Sequence, residues 1–313
     1  MAALPTIDWK ALESLRAYYL GMGKGARDYW TDKLLSDYDQ TFAARIGWKW
    51  DYVLRFLDAR ATNVQDLIMQ EGDQAAPPGP IVDWGCGSGV ASRSLLLWAK
   101  GVNTLPVLCS DRSARARRFA VARLREAAPG VAVAERDAGA LPAPGLLLLS
   151  HVITELDPGA LALLMPILRR SAAVIWVEPG TYAASRALIR LREELAEDFE
   201  VLAPCHHQAP CGMLAPANER HWCHHFATPP QEAFHTPLWN EFEKRLGIDW
   251  RSIPVSFLVL KRRPSPGRPT LAADSTPATP DLVIGRARQY KAFERRLVCR
   301  ETGVIEEEKR YKS

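Results

Sequence analysis

The chain has 313 residues, 47% of them hydrophobic, and a formal net charge of +4 at pH 7. This length can build one large hydrophobic core or two small ones, and the hydrophobic fraction is ordinary for a globular protein. There is no run of about eighteen apolar residues, and the first residues resemble neither a secretory signal nor an acid-free transit peptide, so we expect a cytoplasmic protein without a membrane span. In that compartment the six cysteines indicate metal binding or reactivity more than disulfides.

Residues 1–75 form the first predicted segment, an N-terminal helical region. Its apolar residues recur at helical spacing and include Leu12, Leu15, Tyr18, Tyr19, Ile46, Trp50, Val53, Leu54 and Leu57. We interpret the many aromatic residues here as packing against the next domain, with stacking on RNA bases as the alternative. Pro and Gly residues then predict a linker from Gln70 to Pro80.

From Ile81 onward the pattern alternates between strands and helices. The predicted strands are Ile81–Trp84, Val107–Ser110, Val131–Ala134, Leu146–His151, Val174–Glu178, Phe199–Ala203 and Val255–Leu260. The predicted helices are Gly89–Lys100, Ser113–Ala127, Gly159–Ser171 and Tyr182–Glu197. Repeated β-α-β units imply an α/β fold in which helices cover both faces of a parallel sheet. We therefore predict a Rossmann-like domain at residues 76–262 with a seven-stranded sheet, whose last two strands form a hairpin.

Two further segments follow this domain. Residues 263–280 are rich in Pro, Ser, Thr and Ala, which predicts a flexible linker. Residues 281–313 form a basic C-terminal β extension, with a short strand pattern from Leu282 to Gly303. The basic residues of this tail include Arg286, Arg288, Lys291, Arg295, Arg296 and Arg300. Their clustering favours a polyanionic partner such as RNA.

A glycine-rich turn, IVDWGCGSGV, joins the first predicted strand of the sheet to its first helix. Gly85, Gly87 and Gly89 permit positive φ angles and a close approach of the backbone to a ligand. Asp111 ends the next strand, where a carboxylate can bind ribose hydroxyls, and Asp137 follows the third strand, where it could contact an adenine edge. The alternatives are a tight turn without a ligand and a dinucleotide-binding oxidoreductase, whose fingerprint is G-x-G-x-x-G.

This set of residues resembles the class I S-adenosylmethionine-dependent methyltransferases, because the loop reads G-C-G-S-G after an aspartate. The resemblance implies S-adenosylmethionine as the cofactor, with binding residues Asp83, Gly85, Cys86, Gly87, Gly89, Asp111 and Asp137. No catalytic base is identifiable, and the N/D-P-P-Y/F motif of the amino-directed nucleic-acid methyltransferases is absent after the fourth strand. His151 and Glu155 lie at the mouth of the predicted sheet and are the catalytic candidates, with a structural or substrate-side role as the alternative.

The segment CHHQAPCGMLAPANERHWCHH, inside a predicted insertion at residues 204–226, holds three cysteines and five histidines. Thiolates bind zinc and iron–sulfur clusters, and imidazoles suit zinc. The spacing is not that of a C-x2-C zinc ribbon, and a cubane cluster usually takes four thiolates. Cys299 is the natural fourth thiolate ligand if the tail folds back onto this segment. We expect the tail to have little apolar content that could dock it without a metal. The alternatives are zinc held by the three cysteines and a histidine such as His207 or His225, and a loop without metal.

The motifs SHVITEL, WVEPGT, APCHHQAPC, HWCHHF and FLVLKR follow one another in this order. In this combination the chain resembles the methyltransferase-like family that assembles the small subunit of the mitochondrial ribosome, together with its bacterial relatives, over residues 80–262 and the tail around Cys299. The resemblance implies a class I methyltransferase fold, association with small-subunit ribosomal RNA, and a [4Fe–4S] cluster held by Cys205, Cys211, Cys223 and Cys299. The chain departs from the family where Gly212 replaces an expected proline and where WCHHF has an extra histidine.

Three functions remain open at this point. The first is an S-adenosylmethionine-binding, methyltransferase-like protein that acts on or binds small-subunit ribosomal RNA in ribosome assembly and translation. We expect such a protein to be a bacterial-type member of the family and a monomer when free. The second is an active methyltransferase of a small molecule or a protein with a structural zinc site. The third is a non-catalytic RNA-binding factor with a vestigial cofactor pocket. The tail favours RNA, as do the arginines of the second helix in the sheet domain, for which a solvated face is the alternative. These arginines are Arg112, Arg115, Arg117, Arg118, Arg123 and Arg125.

Overall fold

A computed structural model describes residues 6–22, 29–68, 78–99, 104–264 and 281–312 of the chain. Most of the linker predicted at Gln70–Pro80, and almost all of the linker predicted at residues 263–280, lie outside the described residues. In the part that is described, no helix has the length and apolar character needed to cross a membrane.

The N-terminal region is helical, as its apolar periodicity predicts. Its helices are α1 (Trp9–Ala17), α2 (Asp32–Tyr38), α3 (Ala44–Ala59) and α4 (Val64–Ile68). The side chains of Asp8 and Thr31 cap α1 and α2 by accepting hydrogen bonds from backbone N–H groups in the first turn. A π-helical turn at Asp39–Ala43 runs directly into α3, and Trp50, Val53 and other residues on one side of α3 are buried. The aromatic residues of this region therefore include many that pack internally, as expected.

The main sheet has the strand order β3-β2-β1-β4-β5-β8-β6, with a short β7 paired to β8. Its strands are β1 (Ile81–Trp84), β2 (Val107–Ser110), β3 (Val133–Glu135), β4 (Leu146–Ser150), β5 (Ala173–Pro179), β6 (Phe199–Ala203), β7 (His225–Ala227) and β8 (Ile253–Arg262). The pairs among β1 to β5 are parallel, whereas β8 is antiparallel to both β5 and β6. This mixed sheet is the Rossmann-like sheet of a methyltransferase fold.

Helices cover both faces of this sheet. Besides α3 they are α5 (Val90–Trp98), α6 (Ala114–Ala127), α7 (Pro158–Arg170) and α8 (Tyr182–Glu194). A further helix, α9 (Pro237–Leu246), packs in a separate cluster with Leu12 and Trp48. One face packs against α3, α5 and α6, and the other against α7 and α8. The run Leu146–Leu149 is fully buried, because a central parallel strand is covered on both sides. The carboxyl ends of the parallel strands thus meet at one edge, where ligands bind in open α/β sheets.

The prediction that the last two strands form a hairpin is wrong. β6 and β8 are antiparallel neighbours, but residues 204–252 lie between them and contain the cysteine–histidine segment, β7 and α9. Periodicity marks each strand but says nothing about how the chain returns to the sheet. A long segment therefore connects β6 to β8, and it places the cysteine–histidine segment beside the sheet.

The tail is a three-stranded antiparallel sheet rather than a short strand pattern that ends at Gly303. Its strands are β9 (Leu282–Gln289), β10 (Phe293–Cys299) and β11 (Ile305–Tyr311), in the order β11-β10-β9. Ile284, Cys299 and Ile305 are buried in a cluster with Met213 and Ile189 of the main domain. The expectation that the tail has too little apolar content to dock it is therefore wrong. These apolar side chains are few, but they all pack against the main domain.

Candidate functional site

The glycine loop between β1 and α5 ties the first two strands together. The backbone N–H groups of Gly85 and Cys86 both donate to the carbonyl oxygen of Ser110, at 2.7 and 3.0 Å. Gly85 and Gly87 have φ angles of +71° and +50°, which side-chain-bearing residues rarely adopt. The loop is thus held in one conformation at the edge where the strands end.

Two of these glycines serve different purposes. A Cβ atom added to Gly85 would lie 2.6 Å from a methyl group of Val152, whereas one added to Gly87 would meet nothing within 4 Å. Gly85 therefore allows the loop to pack against the end of β4. Gly87 faces open space, which is what a backbone that receives a ligand requires.

Two of the carboxylates predicted around this loop, those of Asp111 and Asp83, lie in different environments. Asp111 accepts hydrogen bonds from the backbone N–H groups of Gly87 and Ser113, at 3.1 and 2.9 Å, and burial raises its pKa. Asp83 is fully buried, accepts from the Ser92 hydroxyl at 2.6 Å, and keeps a second oxygen without a hydrogen-bond partner among the described atoms. Burial raises the pKa of Asp83 to about 7.

Asp137 and Cys86 complete the predicted cofactor set. Asp137 is exposed and lies 3.2 Å from Arg117. Cys86 is buried and shares a hydrogen bond with Cys109, and this bond and burial raise its pKa. The structure thus places Asp111 and Gly87 together at the mouth, Asp83 and Cys86 behind the loop, and Asp137 at the rim.

Tyrosines of the N-terminal region lie close to this mouth. The hydroxyl groups of Tyr19 and Tyr29 are 2.8 Å apart. Burial first, and then the charge of Glu155, raises the pKa of Tyr29. Burial, Tyr29 and Glu155 likewise raise the pKa of Tyr38. The N-terminal helices therefore approach the mouth of the sheet that the loop borders, and sequence periodicity gave no sign of this placement.

The two catalytic candidates behave differently. Burial raises the pKa of Glu155 to about 7, against the opposing charge of Arg112, whose guanidinium lies 3.6 Å away. His151 has a φ of +57°, and its Nε2 atom lies 3.1 Å from the amine of Lys49. Burial and the Lys49 charge both lower the pKa of His151, so that its imidazole is neutral at pH 7.

Lys49 and Glu178 are site residues that the sequence reasoning missed. Lys49 is almost fully buried, and burial lowers its pKa well below the usual value. A signal was available, since Lys49 falls three residues after Ile46 on the apolar stripe of α3. Glu178 accepts hydrogen bonds from the backbone N–H groups of Val152 and Ile153, at 2.9 and 3.0 Å. It therefore fixes the backbone next to His151.

The four cysteines of the predicted metal set come together between the main domain and the tail. Burial, followed by the charges of Cys205, Cys211 and Cys299, raises the pKa of Cys223. Burial and Cys205 raise the pKa of Cys211 to about 11. Burial, Cys205 and Cys211 raise that of Cys299 to about 12. Cys211 and Cys223 pack against the hydrophobic cluster that contains Cys299, and the Nε2 atom of His207 lies 3.4 Å from the sulfur of Cys299, so the tail brings its cysteine to the loop.

A zinc ion and an iron–sulfur cluster place different demands on these donors. Among the side chains that the structure describes, no group of three or more Cys, His, Asp or Glu residues is arranged to hold a metal ion. A single zinc ion needs its thiolates close together, about 2.3 Å from one centre, whereas the thiolates of a four-iron cluster each bind a different iron. Four thiols are the usual ligand set of such a cluster.

A buried arginine of α8 organises this region. Arg192 donates to the carbonyl oxygens of Ala209 and His207, at 2.9 and 3.3 Å, and it also bonds the thiol of Cys205. Its charge opposes the effect of burial on the pKa values of all four thiols. Sequence reasoning missed Arg192, although it directly follows the buried Leu191 on α8.

The histidines of the segment are not equivalent. The Nε2 atom of His207 lies 3.4 Å from the sulfur of Cys299. His225 instead packs against Tyr52, Phe56 and Phe257, and burial lowers its pKa to about 3. Of the two histidines considered for zinc, His207 is the one beside a cysteine.

The arginines on and just before α6 mostly contact groups of the protein itself. Ion pairs join Arg112 to Glu155, Arg115 to Asp32, Arg117 to Asp137 and Arg123 to Asp39, and the Arg125 guanidinium donates to the carbonyl oxygen of Val133. Two of these contacts join α6 to the N-terminal helices. The helix therefore offers less free positive charge to RNA than the sequence suggested.

The sequence of the chain matches the model of a known protein family. The model of the family described as "Mitochondrial small ribosomal subunit Rsm22" matches residues 45–236, more than half of the chain. None of the curated proteins compared with the chain matches it.

Solved structures of methyltransferases are similar to this chain only at low identity and low TM-score. A precorrin-6y C5,15-methyltransferase from Geobacter metallireducens has 14% identity and a TM-score of 0.36, over 65% of this chain and 87% of that one. The plantazolicin methyltransferase BpumL in complex with SAH has 15% identity and a TM-score of 0.35, over 82% and 98%. A candidate RNA methyltransferase from Pyrococcus horikoshii has 15% identity and a TM-score of 0.35, over 59% and 74%. Such values support no conclusion about activity, and the fold assignment rests on the strand order of the chain itself.

Proposed function

Since the chain belongs to the Rsm22 family of the small ribosomal subunit, we propose that it binds S-adenosylmethionine, carries a [4Fe–4S] cluster and binds small-subunit ribosomal RNA during ribosome assembly. The observation that carries the proposal is that Cys211 and Cys223 pack against the buried hydrophobic cluster that contains Cys299 of the basic tail. A cluster at that point joins an RNA-binding extension to a methyltransferase-like domain. A bacterial-type, cytoplasmic member remains the proposed identity.

The cofactor would bind at the mouth of the glycine loop. Gly87 leaves room for close approach of a ligand, and Asp111 is placed to accept hydrogen bonds from ribose hydroxyls. When bound, S-adenosylmethionine supplies an electrophilic methyl group. With a pKa raised to about 7, Glu155 can hold or release a proton near the mouth at neutral pH. Burial and the Lys49 charge lower the pKa of His151, which opposes protonation of its imidazole, and its contact with Lys49 fits a structural role.

The cluster would be held by the four cysteines. Thiols bind metal as thiolates, and burial opposes that ionisation in each of them. Arg192 supplies a buried positive charge that favours the thiolates and fixes the loop backbone at His207 and Ala209. Metal binding would then add to the apolar contacts that already dock the tail.

The cluster is tested on full-length protein purified without oxygen. We expect brown protein with about four irons per chain and loss of iron in Cys205→Ser and in Cys299→Ser. Cys109→Ala, which removes a buried cysteine that bonds Cys86, is the matched control and should keep its iron. Colourless protein with stoichiometric zinc that survives Cys299→Ser would refute the cluster.

RNA binding is tested through the tail. Deleting residues 281–313 should weaken binding of small-subunit ribosomal RNA and flatten its salt dependence, because each lost phosphate contact removes about 0.9 from the log–log slope on duplexes. The same affinity and the same slope after the deletion would show that the tail does not contact RNA.

The second candidate function is a methyltransferase of a small molecule or a protein with a structural zinc site. The contact between His207 and Cys299 favours it, because a mixed thiol–imidazole set suits zinc. Zinc retained in Cys299→Ser but lost in His207→Ala would support an imidazole ligand.

A further inference from the structure

The tail sheet carries a cationic row that its own folding does not explain. Arg295 of β10 pairs directly with Lys309 of β11 and with Arg288 of β9. Directly opposite residues on neighbouring strands share a face of the sheet, and like charges in that position are destabilising. Three cations in line across three strands therefore indicate a polyanion that binds over them. Glu307 lies 3.6 Å from Arg295 and neutralises part of this charge.

An aromatic row runs beside the cationic one. Phe293 pairs with Tyr311 across the strands, and Tyr290 stacks on Phe293 with ring centroids 4.6 Å apart and planes 14° apart. Tyr290 is 41% exposed and Tyr311 is 68% exposed. Tyr290 and Tyr311 therefore keep part of their ring surface exposed to solvent.

The two rows belong to one surface. Phe293 and Arg295 are two residues apart on β10, so they face the same way, about 7 Å apart. The Lys309 amine lies 4.1 Å from the centre of the Phe293 ring and 4.6 Å from that of Tyr311. Arg295 lies 5.7 Å from the centre of the Tyr290 ring. The opposite end of this face holds Ile284 and Leu297, which dock on the main domain, so the patch projects beyond the docked part.

We propose that this face, the tail patch of Arg288, Tyr290, Phe293, Arg295, Lys309 and Tyr311, binds unpaired bases of single-stranded RNA. The bases stack on the aromatic row, and the neighbouring phosphates contact the cationic row. A duplex hides its base faces and cannot use the aromatic row. The proposal rests on RNA binding by this protein and adds the form of RNA that the tail selects.

The test measures binding of the full-length protein to a labelled single-stranded RNA of about twelve nucleotides and to the same strand in a duplex. The double variant Phe293→Leu, Tyr311→Leu removes rings and keeps every charge. We expect it to lose affinity for the single strand by at least about tenfold, equal to about 1.4 kcal/mol, with unchanged salt slope and unchanged duplex affinity. Lys309→Gln should weaken both complexes and flatten both slopes. Phe234→Leu changes an exposed aromatic residue outside the tail and should have no effect.

A second measurement uses the unaltered protein, so it does not depend on the folding of a variant. A 2-aminopurine base in the single strand should lose fluorescence on binding, because stacking on an aromatic ring quenches it. Absence of quenching, or equal affinity of the double variant and the wild type for the single strand, would overturn the patch while RNA binding stands. A wild type that binds no RNA would overturn the proposed function as well. A dimer that the double variant abolishes would assign the patch to a second copy of the chain instead.

Discussion

Replacing Glu178 by glutamine should stabilise the protein above neutral pH and leave its stability at pH 4 almost unchanged. Glu178 is fully buried, and burial raises its pKa from 4.5 to about 7, against hydrogen bonds from Trp176, Ile153 and Val152 and the charge of Lys49. Below pH 4.5 the carboxyl is protonated in both the folded and the unfolded chain. As the pH rises towards 7, the unfolded chain loses its proton first, so stability falls through this window.

The size of the effect follows from the rise in pKa. One pKa unit corresponds to about 1.4 kcal/mol, so the ionised carboxylate costs the folded state about 3 kcal/mol above pH 7. Glutamine keeps the oxygen that accepts from Val152 and Ile153. It also replaces the oxygen that has no partner among the described atoms with an uncharged amide.

Urea unfolding from pH 4 to pH 8.5 measures this difference. The free energies of unfolding of wild type and Glu178→Gln should coincide near pH 4, separate between pH 4.5 and 7, and stay apart above it. Glu200→Gln, which alters an exposed glutamate of β6, is the control and should follow the wild type. Parallel curves for Glu178→Gln and wild type would refute the view that burial controls this carboxyl.

Two further predictions test the cofactor loop and the docking of the tail. Gly87→Leu should abolish S-adenosylmethionine binding measured by calorimetry, because the new side chain fills the open space above the loop, whereas Gly130→Ala should bind normally. If Gly87→Leu and the wild type bind with equal affinity, the cofactor does not bind at this loop. Ile284→Ala should weaken tail docking by about 2–5 kcal/mol and speed proteolysis of residues 281–312, whereas Val283→Ala, at a 37% exposed position, should do neither. An unchanged rate of proteolysis in Ile284→Ala would show that apolar contacts do not hold the tail.

Short stretches of sequence were enough to predict the sheet domain. The alternation of apolar strands with amphipathic helices marked β1, β2 and β6 with their observed limits, because each element encodes its own periodicity. The glycine loop was readable for the same reason, since the positive φ angles at Gly85 and Gly87 are a local requirement. The high density of cysteines and histidines likewise marked one segment as a candidate metal site without any knowledge of its surroundings.

Long-range contacts were not readable in this way. The position of β8 between β5 and β6 depends on which strands lie next to each other, and a strand does not encode its neighbours. Burial of Lys49 against His151, and of Arg192 among the thiols, depends on elements about 100 and 15 residues away. Such charges are tolerated only where the fold supplies their partners.

The type of each element, the glycine loop and the identity of the candidate ligands could be read from the chain alone, because they follow from a residue and its close neighbours. Tertiary packing was needed to bring Cys299 beside His207 of the cysteine–histidine segment, to dock the tail through Ile284 and Ile305, and to line up three cations across three strands. Each of these depends on strand register and packing between distant segments, where the free energy comes from contacts that no local pattern contains.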